Sequence, residues 1–298
     1  MFEFLKMKKL ADENVFQKHR CFSEFEKRWI KRKDCSNLEQ SIIKKQKETN
    51  IKAYCAYCKK TTKMKIDFLY AAKQADGKLI PNFRERIVCP ECNLNNRLRA
   101  TYHLLENIEP NLKTKQAYIT EAVTPLFELL KNKIKFLVGS EYFPENDAAK
   151  VFISHVNREI NNEDLTKLSF ENNQFDFVIS LEVLEHVPSY RQALREIFRV
   201  LKKNGNFIFS IPFVLNSQKN IVRARMNNGV IEHLLPAEYH GDPVDNAGCL
   251  CFYHFGWEIL DDLREVGFCD VGVYPYASVK FGYLGDGLIL YAKKINDE

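Results

Sequence analysis

Nowhere in the 298 residues do eighteen apolar residues run together. A helix that crosses a bilayer needs about 20, so no membrane span is expected. The opening MFEFLKMKKLADENVF is too short in apolar residues and too charged for an export signal, which points to a cytoplasmic protein. Internal repeats and low-complexity tracts are also missing, which excludes solenoids and compositionally biased linkers. What is present suits one or two soluble domains: 45% hydrophobic residues can build a core and 28% charged residues can cover it. Nine cysteines, an odd number without an export signal, argue for thiols and a metal site over a disulfide framework.

Charge is unevenly spread. Residues 1–103 hold 24 Lys/Arg against 12 Asp/Glu, net +12, and the remainder is net −7. Two unlike modules are therefore expected, and the basic one can attract nucleic acid, anionic lipid or an acidic carrier, or can simply be a solvated face. Within it, Cys55-Ala56-Tyr57-Cys58 and Cys89-Pro90-Glu91-Cys92 are two C-x-x-C pairs thirty residues apart. A C-x-x-C turn lets two thiolates converge on one ion, and two such turns complete a zinc tetrahedron. Ile66–Ala71 and Arg84–Val88 read as strands around an Asp76-Gly77 turn, a hairpin that brings the pairs together. The expectation is a structural zinc held by Cys55, Cys58, Cys89 and Cys92, an ion with no open position for substrate. Arg97 and Arg99 follow, either as planar forks for a phosphate or carboxylate or as local ion-pair partners. Phe22, Phe25, Trp29 and Ile30 suggest an amphipathic helix in the first fifty residues.

The segment FDFVISLEVLEHVPSYRQALREIFRVLKKNGNFIFSIPF, residues 175 to 213, reads as strand, loop, helix, turn and strand. Phe175–Leu181 is an apolar run suited to a strand covered on both faces. Ser189 stands as N-cap with Gln192 as capping-box partner, and Leu194, Ile197, Phe198 and Leu201 share one helical face. Asn204-Gly205 is read as the end of that helix, and Asn206–Ile211 as the second buried strand of a β-α-β unit.

Asp176, Ser180, Glu182-Val183-Leu184-Glu185-His186-Val187, Arg199-Val200-Leu201-Lys202 and Gly205 together resemble the class I S-adenosylmethionine (SAM) dependent methyltransferases of the type 11 group. The resemblance implies a Rossmann-like α/β fold, a seven-stranded, mainly parallel sheet with flanking helices. It also implies SAM as cofactor. The first strand, Ala117–Glu121, ends in an acidic residue, but the family's glycine-rich turn is replaced by Ala122-Val123-Thr124-Pro125. Thr124 as N-cap and Pro125 as first helical residue start a helix sharply, leaving backbone N–H groups for the SAM carboxylate. By the resemblance, Glu121 faces the SAM ammonium, Glu141 past the strand Ile134–Val138 binds the ribose hydroxyls, and Asp164 and Leu165 meet the adenine. Ser180, Glu182 and His186 then lie on the sulfonium side, with His186 a candidate base.

Residues 213–255 read as an insertion that chooses the substrate, ahead of a helix carrying Ile259, Leu260, Leu263 and Val266 before Gly267. Its segment 232–243 concentrates proton-moving groups, with three readings open. It is a lid with an acid/base pair such as His240 and Asp242, a metal site from His233, Glu238, His240 and Asp242, or an ordered loop; the lid, which also uses Tyr239 and His254, is favoured. The organisation expected is a basic helical extension over 1–50, a zinc ribbon over 51–103 and a methyltransferase domain over 104–298. The function expected is methyl transfer to an oxygen, nitrogen or carbon of a small-molecule or glycan-type acceptor. The alternatives are an RNA methyltransferase that binds RNA through the basic half, and a noncatalytic binding module with a degenerate SAM site.

Overall fold

A computed structural model describes residues 15–29, 33–144, 148–241 and 248–295. The chain divides into two compact units. The second comprises residues 20–28, 105–273 and 289–298 and carries the central sheet. Its strands are β1 (Gln116–Ile119), β2 (Phe136–Glu141), β3 (Lys150–Ile153), β4 (Arg158–Asn162), β5 (Phe175–Leu181), β6 (Leu201–Ser210), β7 (Gly272–Ser278) and β8 (Tyr283–Lys293), the last two running on into the first unit. The order across the sheet is β7-β8-β6-β5-β1-β2-β4-β3. Neighbours from β6 through β4 are parallel, and β8 against β6 and β3 against β4 are antiparallel.

Strands covered on both faces must be apolar throughout, and Ala117–Ile119, Phe177–Ile179 and Phe207–Phe209 are all buried. The expected parallel sheet is present, with one strand more than seven. Strand β3 escaped the sequence reading because it is an exposed edge: Lys150 and Phe152 face solvent, so no buried apolar run marks it. Asn157, in the left-handed conformation at φ 50°, turns it back into β4.

Three helices pack on this sheet: α1 (Pro125–Leu130), α2 (Tyr190–Val200) and α3 (Glu258–Val266). Leu194 and Ile197 of α2 are buried as their spacing predicts. Two expectations about α2 are corrected. Ser189 makes no side-chain cap, its carbonyl accepting from Gln192 N–H instead, so no capping box forms. The helix ends at Val200, and Asn204 lies inside β6 with φ 62°, donating its N–H to Lys294 O across a strand irregularity. At α3, Gly267 with φ 118° is the expected C-terminal cap. Phe22 and Phe25, in a helix spanning Phe22–Arg28, meet Trp257 with ring centroids 5.7 and 5.3 Å apart.

The first unit contains a three-stranded antiparallel sheet, Thr49–Cys55 beside Lys60–Ile66 beside Ile87–Val88. The hairpin expected from Ile66 is present only at its base, where Lys65 and Ile66 pair with Val88 and Ile87. The long pairing lies one strand earlier, across the Cys55–Cys58 turn, and the Asp76-Gly77 turn closes only the two-residue strands Ala72–Lys73 and Leu79–Ile80. Arg84–Arg86 belongs to a short helix, Phe83–Arg86, capped by Asn82. Arg99, in the helix Asn96–Ile108, is fully buried and donates to Phe281 O at 2.6 Å, while Arg97 pairs with Glu85 at 2.7 Å. Both arginines are thus internal braces.

Candidate functional site

In the second unit, β1 lies between β2 and β5, so chain direction across the sheet reverses at β1. In open parallel sheets a ligand crevice forms beyond the carboxyl ends of the strands at such a reversal. Residues 120–124, 141–144, 163–168 and 182–186 leave β1, β2, β4 and β5 at that end.

Glu121 is 7% exposed, and Thr120 Oγ1 lies 2.5 Å from its Oε2 and 3.0 Å from Ser180 Oγ. Thr124 caps α1 as its sequence predicts, its hydroxyl accepting from Phe127 N–H at 3.3 Å, with Pro125 in the first turn. None of residues 120–124 has a positive φ, so this turn needs no glycine for its conformation. The close approach occurs at Gly139 instead, where an added Cβ would lie 2.4 Å from Phe127 Cε2. Glu141 Oε1 accepts from Val123 N–H at 2.9 Å, tying the end of β2 to the turn. Arg158, which sequence reading passed over, hydrogen-bonds Ala122 O and pairs with Glu128 at 2.8 Å. Asp164 Oδ1 accepts from the Thr166 N–H and hydroxyl at 2.8 and 2.7 Å, and Leu165 beside it is buried. Glu121, Glu141 and Asp164 therefore stand at the same end of adjacent strands.

The loop after β5 is the most heavily constrained part of the site. Glu182 holds φ 61°, rare for a residue with a side chain, and its N–H donates to Ser210 O. Glu185 is fully buried and its two carboxylate oxygens accept no hydrogen bond. His186 Nε2 and His240 Nδ1 each lie 3.7 Å from Glu185 Oε1. His186 Nδ1 reaches Leu250 O at 2.8 Å, and His240 Nε2 reaches Glu238 Oε1 at 3.0 Å. Glu238 also meets His254 Nε2 at 3.0 Å and Arg223 at 3.1 Å. Burial pushes the Glu185 carboxyl up to about 7 against the opposing pull of His240. Cys251, then Glu185 and Glu238, push the His240 imidazole up to about 11.

His186, His240, Glu238 and His254 thus come together. Asp242 lies outside the described residues, His233 is exposed on the strand Val230–His233, and Tyr239 is 59% exposed. Glu185 was legible only as part of a signature; the signal for it was a carboxylate next to a histidine just past a buried strand.

In the first unit the four cysteine sulfurs lie within 4.8 Å of one another. Cys55 Sγ to Cys92 Sγ is 3.7 Å and Cys58 Sγ to Cys89 Sγ is 3.9 Å, far beyond a disulfide and close to the edge of about 3.8 Å in a tetrahedron of thiolates around zinc. Without a cation the sulfurs cannot all ionise, and burial and Cys55 push the Cys58 thiol up to about 12.

Residues 124–209 match the family model described as a methyltransferase domain. The chain carries a methyltransferase domain. A sarcosine/dimethylglycine N-methyltransferase of Aphanothece halophytica is 30% identical over 100 residues, 32% of each chain. A demethylmenaquinone methyltransferase of Anoxybacillus flavithermus is 26% identical over 191 residues, covering 57% of this chain and 73% of that one. One from Listeria welshimeri is 37% identical over 84 residues, 28% of this chain and 31% of that one. Apart from the Anoxybacillus enzyme, the chain spans about a third of the length of these curated relatives. Among solved structures, a SAM-dependent methyltransferase from Mesorhizobium loti aligns with a TM-score of 0.43 at 14% identity, over 65% of this chain and 98% of that one. The 1,6-didemethyltoxoflavin-N1-methyltransferase of Burkholderia thailandensis aligns with a TM-score of 0.38 at 15% identity, over 67% of this chain and 78% of that one.

Proposed function

We propose that this protein is a SAM-dependent methyltransferase acting on a small-molecule or glycan-type acceptor, with a structural zinc held by Cys55, Cys58, Cys89 and Cys92. The observation that carries the reading is the placement of Glu121, Glu141 and Asp164 at the carboxyl ends of strands around the reversal at β1. SAM carries an ammonium, a sulfonium and a ribose diol, and an acidic, acceptor-only donor set suits all three. The donor set therefore fits the cofactor. When bound, SAM supplies a methyl group already activated on sulfur.

The protein's part is then positioning. Glu141 accepts from the ribose hydroxyls while its other contact holds Val123. Glu121 faces the ammonium, and Thr124 starts α1 so that backbone N–H groups meet the carboxylate. Asp164 accepts from the adenine amine and Leu165 covers the ring. Ser180 and Glu182 border the sulfonium side, and the buried Leu184 and Glu185 close that loop to water. His186 and His240 border the side where the acceptor would lie, with Asp242 adjoining in sequence, and His240, pushed up to about 11 by its neighbours, stays protonated at neutral pH and is not the base. The insertion presents Val230, Ile231, Leu234, Leu235 and Tyr239 at its surface, an apolar face suited to an organic acceptor. The curated relatives named above act on small molecules, which supports the same class. Nine cysteines outside any disulfide suit a reducing, cytoplasmic setting.

Calorimetric titration with the demethylated cofactor tests the reading. Saturable binding that weakens at least about tenfold, or about 1.4 kcal/mol, in Glu141→Ala is expected. No heat at millimolar ligand overturns it.

A further inference from the structure

We propose that Glu185, His186 and His240 form a second metal site, one that takes a divalent transition-metal cation through a carboxylate and two imidazoles and keeps positions open for an oxygen ligand. The argument begins with the carboxylate. Glu185 is fully buried and neither oxygen accepts a hydrogen bond. Leaving an anion in that state costs several kcal/mol unless a cation meets it.

The two imidazoles are set to supply that cation's remaining ligands. Leu250 O can only accept, so the His186 nitrogen 2.8 Å from it, Nδ1, carries the proton and Nε2 keeps its lone pair. Nε2 points to Glu185 Oε1 at 3.7 Å. His240 repeats the arrangement: Nε2 donates to Glu238 at 3.0 Å and Nδ1 faces the same Oε1 at 3.7 Å. A metal-binding histidine characteristically has one nitrogen fixed by a carbonyl or carboxylate and the other on the ion. Here both residues have that form, and Glu238 is itself held by Arg223 and His254.

The spacing agrees. The three ligand atoms lie within 4.8 Å of one another, and ligands about 2.1 Å from a tetrahedral ion stand about 3.4 Å apart, so the two carboxylate-to-imidazole distances of 3.7 Å need to shorten by about 0.3 Å and the two imidazoles to approach by up to about 1.4 Å, a rotation of side chains that closes the site. A bare ion pair accounts for the geometry less well, since 3.7 Å is too long for a charge-assisted hydrogen bond. Cys251 also lies near His240 and Glu238, but its Sγ is turned to Tyr253 O at 3.2 Å. Imidazole with carboxylate suits zinc, iron or manganese, and three protein ligands leave room for a further ligand, unlike the closed tetrathiolate set. That this further ligand is the oxygen of a methyl acceptor rests on the methyltransferase reading; the metal site itself does not.

The test is metal content of the full chain after loading with excess zinc and desalting, with cobalt(II) spectra of the same proteins. The wild type is expected to retain about two ions per chain, Glu185→Gln and His240→Ala about one. The thiolate-to-cobalt band should persist in Glu185→Gln while the weaker bands of the nitrogen and oxygen site disappear. About one ion per chain in the wild type, with cobalt spectra matching Glu185→Gln, overturns the site whether or not the variants fold. Because the demethylated cofactor is titrated separately, a single ion with cofactor binding intact removes only the second metal. Two ions without cofactor binding remove only the methyltransferase reading.

Discussion

Lys294 is 5% exposed, and its ammonium donates to Asn173 Oδ1, Phe198 O and Leu201 O at 2.8 Å each. Burial pulls its pKa down, and the three acceptors are what keep a charge tolerable there. Lys294→Met is expected to lower stability by about 2–4 kcal/mol, because two buried carbonyls lose their donor, and a shift in the urea midpoint measures it. A lysine three residues from a sequence's charged tail reads as solvated, so nothing local announced this role. The same is true of Arg99, read as a phosphate fork or an ion-pair partner and found bonding backbone carbonyls instead. Asp67 has a visible pH consequence. Arg86 hydrogen bonds, with the Leu69 N–H assisting, hold its carboxyl below the ordinary value despite burial. A depressed folded pKa stabilises above the unfolded value of about 3.9 and is lost as pH falls through the lower folded value. Asp67→Asn should therefore be less stable than wild type at neutral pH, with the difference vanishing in acid denaturation series below about pH 3.

Between residues and domains, the elements themselves divide into those that local chemistry dictates and those that it does not. Thr124-Pro125 specifies a helix start without help, and apolar runs located β5 and β6 because strands covered on two faces have no polar side to blur them. The ends of elements were less legible: α2 stops at Val200 and not at Asn204-Gly205, because β6 begins at once through its pairing of Leu201 with Phe175. Contacts between elements were not legible at all. Asp262 of α3, 3% exposed, accepts from Tyr190 and Arg191 of α2 and from Asn220 of the insertion. Asp262→Ala should cost about 3–5 kcal/mol by stranding buried donors, read as a lowered melting temperature. Gly139 and Phe127 form a second such contact. Gly139→Ala forces the ring away from β2, at a cost of about 1–3 kcal/mol, and loosens the turn that bears Val123. Weaker binding of the demethylated cofactor is expected alongside, and recovery of both in the double variant with Phe127→Leu distinguishes steric displacement from loss of fold.

For the molecule as a whole, charge asymmetry and the C-x-x-C pairs announced a separate basic module, but composition says nothing of Tyr274–Leu288, which folds with residues 29–104. That association is built from contacts nearly 200 residues apart in sequence, including Arg99 to Phe281 O and Asn96 to Leu284 O. Such contacts leave no local periodicity to read. The first unit has small sheets of short strands beside its helices, and a structural zinc site can supply about 10–16 kcal/mol to so small a fold. Metal removal is therefore expected to act unequally on the chain. With a strong chelator under reducing conditions, amide exchange should accelerate across Thr49–Ile66 and Ile87–Val88, whose register depends on the Cys55–Cys58 turn and on Cys89. The amides of β1, β5 and β6 should stay protected, since their burial comes from Tyr118, Phe177, Val178, Phe207 and Ile208 and needs no ion. Cys55→Ser should reproduce the pattern without chelator. Equal protection of Thr49–Ile66 before and after metal removal would mean that hydrogen bonds and apolar burial hold those strands by themselves.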